Sequence, residues 1–255
     1  EAFDAVSGEI HASAKTAFIE DSRFVREAAI DRVRSSFEGA AASESLTADE
    51  VEFWGGGFGA FGEWEGDGNA ASLERSLGGF VLGGDAEAGD WRLGLLAGYS
   101  HTGFDADDRS SSGSAASYHL GAYGGTEVGG FGVRLGGAYG WHDVEIDRIA
   151  AFTGFADTLS STYWAGTGQV FGELGYGFDA GAARLEPFVN LAHVRHSTED
   201  FSEDGGSAAL SADGQAIDAT YATLGLRTKT DVPLGESTTG RLTGMIGWRH
   251  AFGDD

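Results

Sequence analysis

The chain contains no cysteine, and only 2 of its 255 residues are proline. The first absence excludes a disulfide framework and thiolate metal sites. It is also compatible with passage through an oxidising compartment. Basic residues are scarce as well: 16 Lys and Arg against 40 Asp and Glu leave a net charge of -24. Such a surface repels a nucleic-acid backbone and offers no basic patch to anionic lipid. No run approaches the roughly 18 consecutive apolar residues of a transmembrane helix. No secretory signal opens the chain, so an upstream segment is expected.

What is abundant is glycine together with aromatics: 43 Gly, 6 Trp, 7 Tyr and 17 Phe. A disordered glycine-rich linker would lack the aromatics. Interleaved glycine and aromatic residues suit closely packed, twisted strands.

Two regimes divide the chain. Residues 7–37 hold little glycine and much Ala, Glu, Arg and Ile, which is helix composition. Ile10, Ala14, Ala17, Phe18, Phe24, Ala28 and Val33 give a patchy apolar stripe. Lys15, Glu20, Arg23, Arg26, Glu27, Asp31, Arg32 and Arg34 interrupt it on several faces. A helix polar nearly all round needs a polar container or full exposure. Residues 38–50 read as a linker. Residues 1–50 therefore form a helix-and-linker unit, and 51–255 a second unit with a period of two.

In that second unit Trp91, Leu93, Leu95, Ala97 and Tyr99 share one strand face, opposite Arg92, Leu96 and Ser100. Phe131, Val133, Leu135, Tyr139 and Trp141 oppose Arg134 and His142. Trp164, Val170, Leu174, Tyr176 and Phe178 oppose Thr167, Gln169 and Glu173. The pattern predicts strands near 51–64, 72–84, 91–104, 115–127, 131–146, 161–178, 183–197, 215–232 and 240–252. Pro187 should lie near a strand start, where its missing donor costs least.

The connections alternate. Segments 84–90, 128–130 and 179–182 are short, whereas 105–114, 147–160 and 198–213 are longer and polar. Short turns at one end, long loops at the other, and aromatics at both ends of the apolar faces are features of an outer-membrane β-barrel. The fold class is thus all-β, an antiparallel transmembrane β-barrel with an N-terminal helix. A soluble antiparallel β protein with an aromatic core is the competing architecture.

Catalytic and metal chemistry finds little footing. His193 and His196 lie near Glu199 and Asp200, but positions i and i+3 of a strand face opposite ways. Two histidines do not close a coordination shell. No G-x-S-x-G elbow places a nucleophile. Glu63, Glu65, Asp67 and Asn69 have the composition of a calcium loop without its spacing, and read as a hairpin loop. Asp105, Asp107 and Asp108 read as a solvated acidic loop. No cofactor or metal is expected, and no enzyme activity.

The segments FGELGYGFDAG, LEPFVNLAHVRHSTEDFSEDGGSAALSA, ATLGLRTKT and GWRHAFGD resemble successive parts of the autotransporter β-domain family. LLAGYSHTGFDADDRSSSGSAASYHLGAYGG and GGAYGWHDVEIDRIAAFTGFADTLSSTY extend the resemblance upstream. SGEIHASAKTAFIEDSRFVREAAIDRVR is similar to the family's segment before the first strand. The resemblance implies an outer-membrane anchor and translocator that exports its own N-terminal passenger by type V secretion. Its implied partners are outer-membrane lipid, the barrel-assembly machinery and periplasmic chaperones. Any enzyme or adhesin activity would lie in the passenger. Lumen autoproteolysis would need a scissile site in the helix, and no Asn-Asn pair marks one.

Residues 7–37 would be a pore helix inside the lumen. Glu20, Arg23, Arg26, Glu27 and Arg32 would face lumen groups Arg92, Arg134, Glu173, Glu186 and Arg227. The family barrel has twelve strands and nine are read here. The resemblance therefore implies a chain truncated before its last strands, in which 51–64 and 240–252 are not neighbours.

Overall fold

A computed structural model describes residues 6–37, 46–48, 51–64, 72–106, 109–233 and 239–253. Most of the expected linker 38–50, the loop residues Glu65, Asp67 and Asn69, and Asp107 and Asp108 lie outside the described residues.

The helix α1 runs from Glu9 to Phe37. Glu9 in its first turn and Arg34 in its last complement the helix dipole. The described strands are β1 (Leu46–Ala48), β2 (Val51–Trp64), β3 (Leu73–Ala88), β4 (Trp91–Ala106), β5 (Ser111–Val128), β6 (Phe131–Phe152) and β7 (Phe155–Tyr176). They continue with β8 (Phe178–Ala180), β9 (Ala183–Thr198), β10 (Phe201–Ser202), β11 (Ser211–Ala212), β12 (Ala216–Pro233) and β13 (Thr239–Gly253). All pairings are antiparallel, in the order β1-β2-β3-β4-β5-β6-β7-β9-β12-β13, with β8 on β9 and β10 on β11. The nine long strands match the nine expected. Val51–Trp64 and Thr239–Gly253 lie towards opposite ends of the order and are not paired with each other, so the sheet is open.

Turn chemistry fixes the short connections. Gly129 and Gly130 both have positive φ (60° and 85°), as a two-residue hairpin turn matching strand twist requires. Pro187 pairs with Leu226 on β12. On its other side the β7 ladder ends at Gly175–Phe188 and β8 begins at Phe178–Leu185. Proline thus occupies the break in that ladder, where no donor is needed.

The outward face is apolar across one band. Leu93, Leu95, Leu135, Val170 and Leu174 are exposed on it. Tyr99, Tyr118 and Trp141 follow one another in register at its upper edge, with Trp164 paired to Asp143 beside them. Trp91, Phe131, Tyr176 and Phe178 mark the lower edge, where the Phe131 and Tyr176 rings are 4.6 Å apart. From Phe131 to Trp141 the strand rises about 34 Å at about 3.4 Å per residue. Tilted by about 45°, that gives an apolar band about 25 Å tall, the height of an outer-membrane barrel's lipid belt.

Two expected loops turn out to be strand. Segment 147–160 is the end of a long β6–β7 hairpin that turns at Gly154, and most of 105–114 belongs to β4 and β5. Beyond Trp141 the polarity of the alternation reverses. Val144, Ile146 and Ala150 face inward and are fully buried, while Asp143, Glu145 and Asp147 register with outward positions. Outside the lipid belt the outer face meets water, so the ladder continues with its apolar side turned inward. Segment 198–213 does form a long connection, which folds back over the sheet's open mouth with β10 and β11 inside it.

The helix lies in the concave side of the sheet, packed mainly on β5 and β6. Val25, Ala29, Ile30 and Val33 join Trp54, Val81, Leu96, Tyr123 and Val194 in one apolar cluster. Ile10, Ala14, Ala17 and Phe18 join Phe104, Val144, Ile146 and Tyr163 in another, nearer the outer end. Ala12, Thr16, Glu27 and Asp31 form the exposed stripe.

Candidate functional site: the helix in the lumen

Three clusters hold the helix. The lowest is built on Asp85, an inward position of β3 whose side chain is 0% exposed. Arg32 grips it with two donors, Nε to Oδ2 at 2.7 Å and Nη2 to Oδ1 at 2.8 Å. Arg92 Nη1 donates to Oδ1 at 2.6 Å, and Tyr123 donates its hydroxyl to Oδ2 at 2.7 Å. Trp54 Nε1 donates to the Tyr123 oxygen at 2.5 Å. Glu52 takes a further bond from Arg32 at 2.6 Å. Gly94, paired with both Asp85 and Tyr123, leaves the space: a Cβ there would lie 2.6 Å from the Tyr123 oxygen. Charge-assisted, bidentate bonds of this kind are the strong class.

The middle cluster mixes charged, polar and aromatic groups. Arg26 Nη1 donates to Gln169 Oε1 at 2.7 Å, and Gln169 Nε2 donates to the Ser22 carbonyl at 2.8 Å. Phe18 stacks on His142 with ring centroids 4.3 Å apart. His142 is 2.9 Å from Thr167, which is 2.9 Å from His196 Nδ1. Arg75 reaches Asp21 at 2.8 Å.

The upper cluster closes the outer mouth. Arg148 forks onto Glu203, Nε to Oε1 at 2.6 Å and Nη2 to Oε2 at 2.7 Å. The Leu210 amide donates to Oε2 at 2.9 Å, and His11 Nε2 lies 3.1 Å from Oε1. Burial pushes the Glu203 carboxyl up, but Arg148, the Leu210 amide and His11 outweigh it and hold the group below the ordinary glutamate value. A carboxyl depressed in the folded state contributes stability that is fully present above its unfolded value of about 4.3. That contribution is lost as pH falls through the folded value. The share of stability that Glu203 contributes should therefore be constant down to about pH 5 and be lost below that, so Glu203→Gln should flatten the unfolding midpoints' fall below about pH 5; an unchanged acid limb in the variant would contradict the assignment.

The expected lumen pairs are only partly assembled. Arg32 and Arg92 do meet, through their shared carboxylates Asp85 and Glu52. Arg26 reaches the lumen wall at Gln169. Glu20 comes only within 4.0 Å of Arg75. Arg23 lies over the Phe24 ring, and Glu27 is exposed. Arg134, Glu173, Glu186 and Arg227 bind one another across β6, β7, β9 and β12. Arg134 Nη1 donates to Glu173 at 2.9 Å and to Glu186 at 2.6 Å, and Arg227 forks onto Glu173 at 2.8 and 2.7 Å. A cavity of about 330 Å³ separates part of this group from the helix, lined by Arg26, Glu27, Glu173 and Arg227.

Sequence reasoning missed Asp85, Glu52, Tyr123, Arg148 and Glu203. Asp85 falls within the expected turn 84–90; the i, i+4 series Leu77, Val81, Asp85 on one strand face is the signal that places it on β3. His193 and His196 do face opposite ways: His193 is exposed and His196 is fully buried.

A family model described as "Autotransporter beta-domain" matches residues 53–255. Two proteins of Serratia marcescens, each described as "Extracellular serine protease", are 39% and 36% identical over 249 residues, 97% of this chain. The chain spans 24% of their length. Among solved structures, the translocator domain of autotransporter NalP from Neisseria meningitidis aligns with a TM-score of 0.69 and 16% identity, covering 96% of this chain and 79% of that one. The β-domain of the Bordetella autotransporter BrkA aligns at 0.64 with 21% identity, covering 80% of each. A lipid-height apolar band, a helix clamped in a polar lumen and these matches agree: the chain belongs to the autotransporter β-domain family of the bacterial outer membrane.

Proposed function

We propose that this domain anchors itself in the outer membrane and exports its own N-terminal passenger, ending with α1 seated in the lumen. The domain is a translocator and not itself an enzyme. The observation that carries the direction of export is the polarity of the helix. Its C-terminal turn is clamped at Asp85 beside the short turns, and its N-terminal turn lies at Glu203 among the long connections. Short turns are periplasmic in such barrels and long loops extracellular. Whatever precedes residue 7 therefore emerges on the outside, and residues 1–50 act as the trailing helix and linker of the barrel unit 51–255.

The relatives' description supports a secreted serine protease as the passenger class. The exposed apolar band supports lipid as the solvent of the outer face. Such a face cannot stay in the aqueous periplasm unaided, which supports periplasmic chaperones and the barrel-assembly machinery as partners. The two open sheet edges support closure by further strands, because an unpaired backbone group in lipid costs several kcal/mol.

A reporter epitope fused ahead of Glu1 in the complete gene product tests the direction. External antibody should reach it on intact cells, and external protease should spare the turns at Gly89–Asp90 and Gly129–Gly130. A reporter retained in the periplasm, or cleavage at those turns, would reverse the reading.

A further inference from the structure

We propose that the connection between Thr198 and Ala216 is a latch that closes the outer mouth only when the first turn of α1 has arrived. The inference rests on the reading that α1 ends in the lumen after export. Its starting point is the Arg148–Glu203 pair, whose side chains are 2% and 1% exposed. At about 3.4 Å per residue and about 45° of tilt, Arg148 stands roughly 17 Å beyond Trp141. A pair at that height would ordinarily meet water.

Part of what keeps water out belongs to the helix. His11 completes the coordination of Glu203, and Arg148 Nη1 donates to the Ser7 carbonyl at 3.3 Å. Phe201 of the connection stacks on His11 with centroids 4.3 Å apart and on Tyr163 at 4.7 Å. Leu210 lies so close to Gly8 that a Cβ there would come within 2.7 Å of it.

The connection's own structure is slight. Its β10–β11 ladder is two residues long on each side, and a ladder of that size does not hold by itself. It is tied to β7 by the Ser160–Asp204 bridge and to Asp157 by the Ala208 amide at 3.0 Å. Remove the helix and the latch loses the His11 bond, the ring stack and the Leu210 contact at once, with a charged pair left facing an open lumen. Docking and closure are thus linked, and each favours the other by the same factor. While a passenger occupies the lumen the latch stands open; when the helix seats, the latch shuts over it and opposes its return.

The test is the rate at which external protease cuts residues 199–213 on cells displaying the complete gene product. Loss of one hydrogen bond to a buried charge should raise the open fraction, and with it the cutting rate, roughly tenfold to a hundredfold in His11→Ala, and at least as much in Glu203→Gln, which removes the charge that Arg148 and His11 share. The double variant should be cut more slowly than the product of the two single effects predicts, because both changes remove the His11–Glu203 bond. Phe201→Ala leaves every barrel strand intact and should also accelerate cutting. Unchanged rates in Glu203→Gln or Phe201→Ala, or strictly multiplicative rates in the double variant, would overturn the latch. Passenger display is measured on the same cells: latch variants should still export. Loss of export with normal cutting rates would instead strike at the translocation reading.

Discussion

Replacing Leu135 with arginine should destabilise the membrane-inserted domain by roughly 2–4 kcal/mol, the cost of a cationic side chain near the bilayer midplane of a barrel. Leu135 is outward on β6, 49% exposed, and lies between the lower aromatics at Phe131 and the upper ones at Tyr139 and Trp141. Its register partners are Gly124 on β5 and Gly172 on β7. Neither of these partners carries a side chain to shield it, and the arginine would have to snorkel several residues to reach water. Asp143→Arg provides the control. It alters the same strand face above the aromatic belt, where a surface substitution changes stability by about 0.5 kcal/mol or less. Urea unfolding of the complete domain in bilayers, followed by tryptophan emission, reads both. Equal costs for the two variants would show that the face does not meet lipid.

Asp85→Ala should be the most damaging change inside the lumen, at roughly 3–5 kcal/mol. Breaking a buried ion pair by removing one partner leaves uncompensated charge, which costs far more than the pair itself is worth. Here the loss is shared by Arg32, Arg92 and the Tyr123 hydroxyl, all of which point at one carboxylate. Glu52 keeps part of the charge balance, yet it is one-third exposed and bonds Arg92 only at 3.3 Å. The partner variant Arg32→Met removes the helix's share of the clamp. Combined with Asp85→Ala it should cost less than the two separate losses added, by about 1–3 kcal/mol of coupling. If Asp85→Ala costs no more than the 1 kcal/mol or so of an exposed pair, the clamp is ornamental.

The sequence and the structure part company where the solvent changes. Between Trp91 and Tyr99, or between Phe131 and Trp141, lipid lies on one side and a polar lumen on the other, so alternation reads directly. The composition of residues 7–37 likewise announces a helix that needs a polar container. Beyond Trp141 the same ladder continues with Asp143, Glu145 and Asp147 outward and Val144, Ile146 and Ala150 inward. A reader following apolar-out alternation sees polar residues and infers a loop. The period was intact, and only its sign had flipped.

Partner choice was less legible still. Arg134, Glu173, Glu186 and Arg227 lie on one face of the sheet, but strand register brings them to one another before any reaches the helix. Register across four strands depends on turn lengths and on the β7–β8 break at Pro187, which no single segment encodes. Asp85 was hidden by the same cause: β3 runs four residues further than its glycine-rich end suggested. The helix, finally, packs through Ala14, Ala17 and Ala29, whose small side chains contribute little to an apolar count but permit close approach to the wall.

The arrangement at stake is a membrane sheet with lipid on one side and the helix on the other. Oxygen accessibility of nitroxides placed singly at each position from Trp91 to Tyr99, in the complete domain reconstituted into bilayers, tests it most directly. High oxygen contact is expected at Leu93, Leu95 and Ala97, and low contact at Arg92, Gly94 and Leu96, a strict period of two. A flat profile, or one with Leu96 as accessible as Leu95, would contradict the claim.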